Sequence, residues 1–171
     1  ATKGYPPSVF EKMPKLLERA GRSDKGSITG IFTVLVDADD INEPIADAAR
    51  SILDGHIWLS RNLGMSGHYP AVDPLMSISR LMIDVVTPDH LEAATRIKAL
   101  LSAYRNAEDM IKFGLYAKGS DPVIDTAIRM IAAINVFLKQ KMMERAPFGE
   151  TVGSLVKLME AAGKESRPAS A

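Results

Sequence analysis

The chain has no cysteine among its 171 residues, so neither a disulfide framework nor a thiolate metal site is open to it. It has no excess of either charge, since 21 basic and 21 acidic side chains cancel. Nucleic-acid binders neutralise phosphates with clustered Lys and Arg, and no dense basic patch stands out here, so no nucleic-acid partner is expected. Long apolar runs are missing too: the longest, such as Ile31–Val36, fall far short of the ~20 residues that span a bilayer. No extended internal repeat or low-complexity segment occurs. The opening Ala1-Thr2-Lys3 carries neither a methionine nor a signal-peptide pattern, which suits an excised fragment.

What is present has ordinary globular proportions. At 46% hydrophobic residues, the length suffices for one sizeable core, or one small domain plus part of another. The first half mixes helix and strand signals. Gly4-Tyr5-Pro6-Pro7 is a stiff entry to an amphipathic helix with Ser8 as its expected N-cap. Pro14 should kink or split that helix and Gly21 should close it. Arg22–Gly26 reads as a polar loop. Ser27–Val36 is apolar and β-branched without clean alternation, which fits a strand buried on both faces, with Gly30 permitting a close backbone approach.

An acidic loop follows, Asp37-Ala38-Asp39-Asp40-Ile41-Asn42-Glu43-Pro44. Clustered carboxylates with an Asn are compatible with a divalent metal, although the calcium-loop spacing is absent. They fit better a solvated turn that places Glu43 or Asp47 near the next helix N-terminus, where negative charge is favourable. Pro44–Leu53 is a short helix ended by Gly55, Ile57–Leu59 a brief strand, and Arg61–Gly67 a loop. His56 has no second His or Cys at metal spacing, so no metal is expected to bind, and His68 has no nucleophile beside it, so no catalytic role is expected of it.

Beyond Thr87 everything is periodic at helical spacing. Thr87-Pro88-Asp89 starts a helix whose stripe is Leu91, Ala94, Ile97, Leu101, Tyr104 and Ile111, with Gly114 as the stop. Asp121-Pro122 starts a second, with Ile124, Ile128, Ile131, Ile134 and Leu138. A third carries Val152, Leu155, Val156, Met159 and Ala162. Three such helices with short connections predict a small bundle, its gaps filled by the methionines at 76, 82, 110, 130, 142, 143 and 159. Residues 164–171 lack large apolar side chains and form an expected flexible tail.

One stretch carries chemistry: Gly67-His68-Tyr69-Pro70-Ala71-Val72-Asp73-Pro74-Leu75-Met76-Ser77-Ile78-Ser79-Arg80. Tyr69 beside Pro70 offers a flat ring at a turn, able to stack on a base, and Arg80 a planar guanidinium suited to phosphate oxygens. Ordinary turns and solvated arginines share this pattern. GHYPAVDPLMSISR resembles the base-binding turn and following arginine of the rotary ATPase catalytic-subunit superfamily. GYPPSVFEKMPKLLERAG and KGSITGIFTVLVDADDINEPIADAARSILDGHIWLSR resemble one branch of it, the ATPases of flagellar and virulence type III protein export, related to rotary ATP synthase catalytic β subunits. The similarity runs over about residues 3–160 with several motifs in order. No G-x-x-x-x-G-K-[ST] occurs, so the chain looks like the C-terminal portion of a longer enzyme.

The resemblance implies an α/β plus all-α fold. Residues 1–85 would be the C-terminal part of a P-loop (RecA-like) nucleotide-binding domain, and residues 86–163 a C-terminal helical domain. It implies Arg80 as an arginine finger acting in trans, Tyr69 stacked on adenine, and Phe148 as a second aromatic of that pocket. Met142 stands where a rotary β subunit has phenylalanine, and a hydrophobic staple at a helix entry accounts for Phe148 equally well. VDADDINEP resembles the loop that touches a central coiled-coil stalk, a third reading for Asp37, Asp39, Asp40 and Glu43. The intact protein would be a homohexamer using ATP and Mg²⁺ to unload chaperone-bound substrates, with a stalk protein and a regulatory export protein as partners. It would sit in the cytoplasm, at the inner-membrane face, with peripheral association through the export gate. The fragment alone is expected to bind no nucleotide and to be inactive. A stand-alone helical module for coiled-coil or chaperone partners, and a subunit of a proton-driven rotary synthase, are the alternatives.

Overall fold

A computed structural model describes residues 4–36, 40 and 42–164. Asp37 and Asp39 of the acidic loop, and the expected tail beyond residue 164, lie outside the described residues. In chain order the elements are α1 (Pro7–Leu17), β1 (Gly21–Ser23), β2 (Gly26–Ile28), α2 (Pro44–Ile52), β3 (Gly55–His56), α3 (Arg61–Met65), β4 (Ile78–Ser79), α4 (Met82–Val85), α5 (Pro88–Lys112), α6 (Pro122–Leu138) and α7 (Phe148–Lys164). They pack as two compact units, Ala1–His56 and Ile57–Ala171.

In the first unit α1 lies against α2. Proline occupies the first turn of α1 with Pro6 at the N-cap, so the helix begins a residue before the expected Ser8 cap. Pro14 sits inside α1 and does not split it. The donor it removes would have bonded to the carbonyl four residues back, and the helix ends within a turn anyway. Arg22–Gly26 is not a plain loop: β1 and β2 form an antiparallel hairpin that pairs Ser23 with Gly26 across Asp24-Lys25. The expected strand over 27–36 is formed only as far as Ile28, and Ile31 and Leu35 are about nine-tenths exposed. A strand buried on both faces needs neighbouring strands and covering helices, and no strand among the described residues exceeds three residues. At Gly30 the close approach is by side chains rather than by backbone, since a Cβ there would stand 2.7 Å from the Phe32 ring and 2.8 Å from Ala20 Cβ. α2 starts and stops close to the expected bounds.

The second unit is organised by α5, α6 and α7, each packed on the other two. Thr87 caps α5 by accepting from the His90 N–H, and Asp121 caps α6 by accepting from the Val123 and Ile124 N–H groups. Gly114 adopts a φ of 69°, the left-handed conformation that ends α5. The α5–α6 connection is tied by Asp125, which accepts from Tyr116 OH and from the Gly119 N–H. The core joins Ala93, Ile97 and Leu100 of α5, Ala127, Met130 and Ile134 of α6, and Leu155, Met159 and Ala162 of α7. The α7 stripe is the expected one. On α5 and α6 the buried line includes small residues, Ala93 and Ala127, that let the helices approach. The bulkier expected positions, such as Leu101 and Ile131, are only partly buried.

Three further expectations need correcting. Only Met130 and Met159 fill the core; Met110, Met142 and Met143 are exposed, Met142 at 97%. Arg61–Gly67 contains the short helix α3, capped by Ser60, whose hydroxyl accepts from the Leu63 N–H. Ile57–Leu59 is not a regular strand; only Leu59 forms an isolated bridge, to Val72. The compact units divide after His56, and within the second of them Ser77 and Asp73 are hydrogen-bonded to α5 through contacts given below.

Candidate functional site

The strap from Tyr69 to Arg80 is held by one turn. Asp73 is buried, and its Oδ1 accepts from the Leu75 N–H at 2.9 Å and the Met76 N–H at 3.3 Å. This is the local bond an Asp makes when Pro follows it in a turn. The Ser77 N–H and hydroxyl both donate to the Asp73 carbonyl, at 3.1 and 2.7 Å. Ser77 Oγ in turn accepts from the Trp58 N–H at 3.0 Å, while the Asp73 N–H donates to the Trp58 carbonyl at 2.9 Å. Ile57–Leu59 is therefore a brace for the turn.

Two side chains of α5 reach the same turn. Arg105 donates to Asp73 Oδ1 at 3.2 Å and pairs with Oδ2 at 3.1 Å. Lys98 Nζ donates to the Ser77 carbonyl at 3.0 Å. From the other flank the Gln140 N–H donates to the Tyr69 carbonyl at 2.8 Å. Sequence reasoning passed over Asp73, Ser77, Lys98, Arg105 and Gln140. Asp73-Pro74 was a legible turn signal, but the partners on α5 lie far along the chain.

The two ends of the strap face outward. The Tyr69–Pro70 peptide bond is cis, and Tyr69 is 60% exposed. Arg80, directly after β4, is exposed as well. His68, beside Tyr69, is buried and its Nε2 has no hydrogen-bond partner. Burial, and then the positive charge of Lys139, hold its pKa below the ordinary value. Phe148 is the first residue of α7 and largely exposed, its ring edge-on to His90 at 6.0 Å. A staple would stand outside the helix and pack back on it, so Phe148 is not placed as one. The structure thus brings Tyr69 to the Lys139–Gln140 segment that leads toward Phe148.

The acidic loop resolves in part. Glu43 is buried and caps α2, its Oε2 accepting from the Ala46 N–H at 2.8 Å. That carboxylate is engaged within the fold. Asp40 accepts from the Asn42 N–H at 3.0 Å and shapes the approach to the helix. No group of three or more metal-binding side chains occurs among the described residues. No helix among them is long and apolar enough to cross a membrane.

Residues 1–79 match the family model of the ATP synthase alpha/beta family, nucleotide-binding domain, and residues 86–157 that of the T3SS EscN ATPase C-terminal domain. The chain is 48% identical over 155 residues to a type 3 secretion system ATPase of Pseudomonas syringae pv. tomato, covering 91% of this chain and 34% of that protein. It is 51% identical over 157 residues to a flagellum-specific ATP synthase of Bacillus subtilis, covering 92% and 36%. Among solved structures, the assembled ATPase EscN of the enteropathogenic E. coli type III secretion system superposes with a TM-score of 0.87 at 48% identity, over 91% of this chain and 38% of that one. EscN in complex with its central stalk EscO gives 0.81 at 47% identity, over 91% and 36%. The chain spans about a third of the length of the curated relatives it matches. With nucleotide-binding-domain sequence followed by the C-terminal domain, it belongs to the family of type III secretion and flagellum-specific ATPases, a branch of the ATP synthase alpha/beta family.

Proposed function

We propose that this chain is the portion of a type III export ATPase that supplies the arginine finger and the adenine-facing aromatics to a ring of six identical subunits. What carries the reading is one observation: Tyr69 and Arg80 are exposed at the two ends of a turn whose backbone is fixed by hydrogen bonds. Tyr69 stacks on the adenine held by its own subunit, with Phe148 as a second aromatic. Arg80 enters the neighbour's site, where Mg·ATP is held by residues outside this chain. There a guanidinium stabilises the charge that spreads over the γ-phosphoryl oxygens as the bond to the leaving phosphate breaks.

The hydrolysis drives unloading of chaperone-bound export substrates at the cytoplasmic face of the inner membrane, with a regulatory export protein as a further partner and peripheral association through the export gate. The acidic loop meets a coiled-coil stalk through Asp37, Asp39 and Asp40, with Glu43 pinning the loop to α2. The EscN–EscO complex supports that reading by likeness. This chain by itself, without a phosphate cradle, is inactive.

The test uses the full-length hexamer. Arg80→Ala lowers kcat by roughly 10³–10⁵ with little change in nucleotide binding. Arg80→Lys recovers little, because an ammonium cannot reproduce the planar fork. Rings mixed from Arg80→Ala and P-loop-dead subunits regain activity at their hybrid interfaces. In the same assay, Asp39→Ala with Asp40→Ala reduces stimulation by the stalk protein. A full-rate Arg80→Ala hexamer would sink the assignment.

A further inference from the structure

Between Tyr69 and Arg80 the strap has no regular element longer than the two residues of β4, yet both residues must be held to within about an ångström for their chemistry. The hydrogen bonds inside the turn fix its shape but not its place. Its place is set by the Trp58 brace and by α5. Lys98 and Arg105 are seven residues apart, two turns along one face of the helix and roughly 10 Å from each other. They grip Ser77 and Asp73, which are themselves joined across four residues. On the α5 side one anchor would let the turn tilt about the Trp58 brace; two at that separation restrain the tilt.

The Asp73 side chain is 9% exposed and that of Arg105 46% exposed, so the carboxylate depends on the guanidinium while the guanidinium keeps access to water. Asp73 also keeps its two N–H donors from Leu75 and Met76 when Arg105 is removed. Loss of Arg105 therefore leaves the turn held to α5 by Lys98 alone, without dissolving the turn.

We infer that Arg105, seconded by Lys98, is a positioning residue of the C-terminal helical domain that sets Arg80 through the Asp73–Ser77 turn. Neither side chain touches nucleotide; both act through the strap. The inference rests on the arginine-finger reading above.

Its test measures the affinity of the full-length hexamer for ADP with aluminium fluoride, a mimic of the transition state, alongside ADP alone. Arg105→Gln should weaken the mimic by about 10–100-fold while ADP affinity and the thermal midpoint stay near wild type. Arg105→Lys, which restores a cation without the fork, should recover part of the loss. In an Arg80→Ala background, Arg105→Gln should weaken the mimic no further, because the group it positions is gone. Equal losses in both backgrounds, or wild-type affinity for Arg105→Gln where Arg80→Ala has lost it, overturn the positioning role alone. Unchanged affinity in Arg80→Ala overturns the finger, and the positioning role with it.

Discussion

The two units of this chain differ in what each can complete from its own sequence. In unit 57–171, three helices meet around Ile134, which is wholly buried, and the same unit holds the Tyr69–Arg80 strap. In unit 1–56 the described buried residues are Leu17, Glu43, Ala46 and Ala49, while Ile28, Ile31 and Leu35 are exposed. A helix closes its own backbone hydrogen bonds and needs only a partner for one stripe, which the next helix supplies. A strand buried on both faces needs other strands to close its backbone and helices to cover it.

The sharpest way to break this contrast is to truncate one apolar side chain in each unit. Ile134→Ala should lower the unfolding free energy of the helical unit by about 2–5 kcal/mol, through lost transfer energy and a cavity that packed helices cannot close. Leu35→Ala should stay within about 0.5 kcal/mol, as expected for an exposed site. Urea unfolding followed by helical circular dichroism measures both; a large loss for Leu35→Ala would mean that the segment packs as a strand in solution.

Caps offer a finer probe of the same division. Asp121→Ala removes the acceptor for two N–H groups of α6, and Glu43→Ala the acceptor for one of α2, each costing about 1 kcal/mol. If the units unfold separately, Glu43→Ala moves only the transition of the smaller unit and Asp121→Ala only that of the bundle. Amide hydrogen exchange resolves the two, and a common shift would show one cooperative structure.

The smallest effect is a pH dependence in the larger unit. The pKa of His68 is lowered on folding, by burial first and Lys139 second. Above the ordinary value of 6.5 both states are neutral and the group contributes nothing. As pH falls through 6.5 the unfolded chain takes up a proton that the folded chain resists, so stability declines until the lowered folded value is reached. Thermal midpoints should therefore drop as pH falls through 6.5, and drop less in His68→Leu, which also removes the unpartnered buried nitrogen. Equal slopes would assign the acid sensitivity elsewhere.

Much of the fold was legible in local signals. Pro44, Thr87-Pro88 and Asp121-Pro122 mark helix starts that the structure keeps, and Gly114 ends α5 in the conformation that glycine favours. The hairpin at 21–28 went unread because its strands are three residues long and exposed at every residue, leaving no apolar alternation to find. α3 was hidden by Gly64 within it and Gly67 just beyond it, although Ser60 was available as its cap. Of the candidate site, Tyr69 and Arg80 were visible through resemblance. Asp73 was not, since a buried acid in a turn looks like a solvated one until its partner is known.

Taken alone, the sequence determined the family and the three-helix C-terminal half with the caps of its first two helices. These rest on interactions between residues a few positions apart or on motifs read in order. Only the tertiary structure decided that Glu43 serves as a buried cap, that α5 buries Ala93 and Leu100, and that Arg105 reaches Asp73 across 32 positions of chain. Those outcomes depend on which groups burial brings together, and desolvation then sets how strongly each buried acid needs its donor.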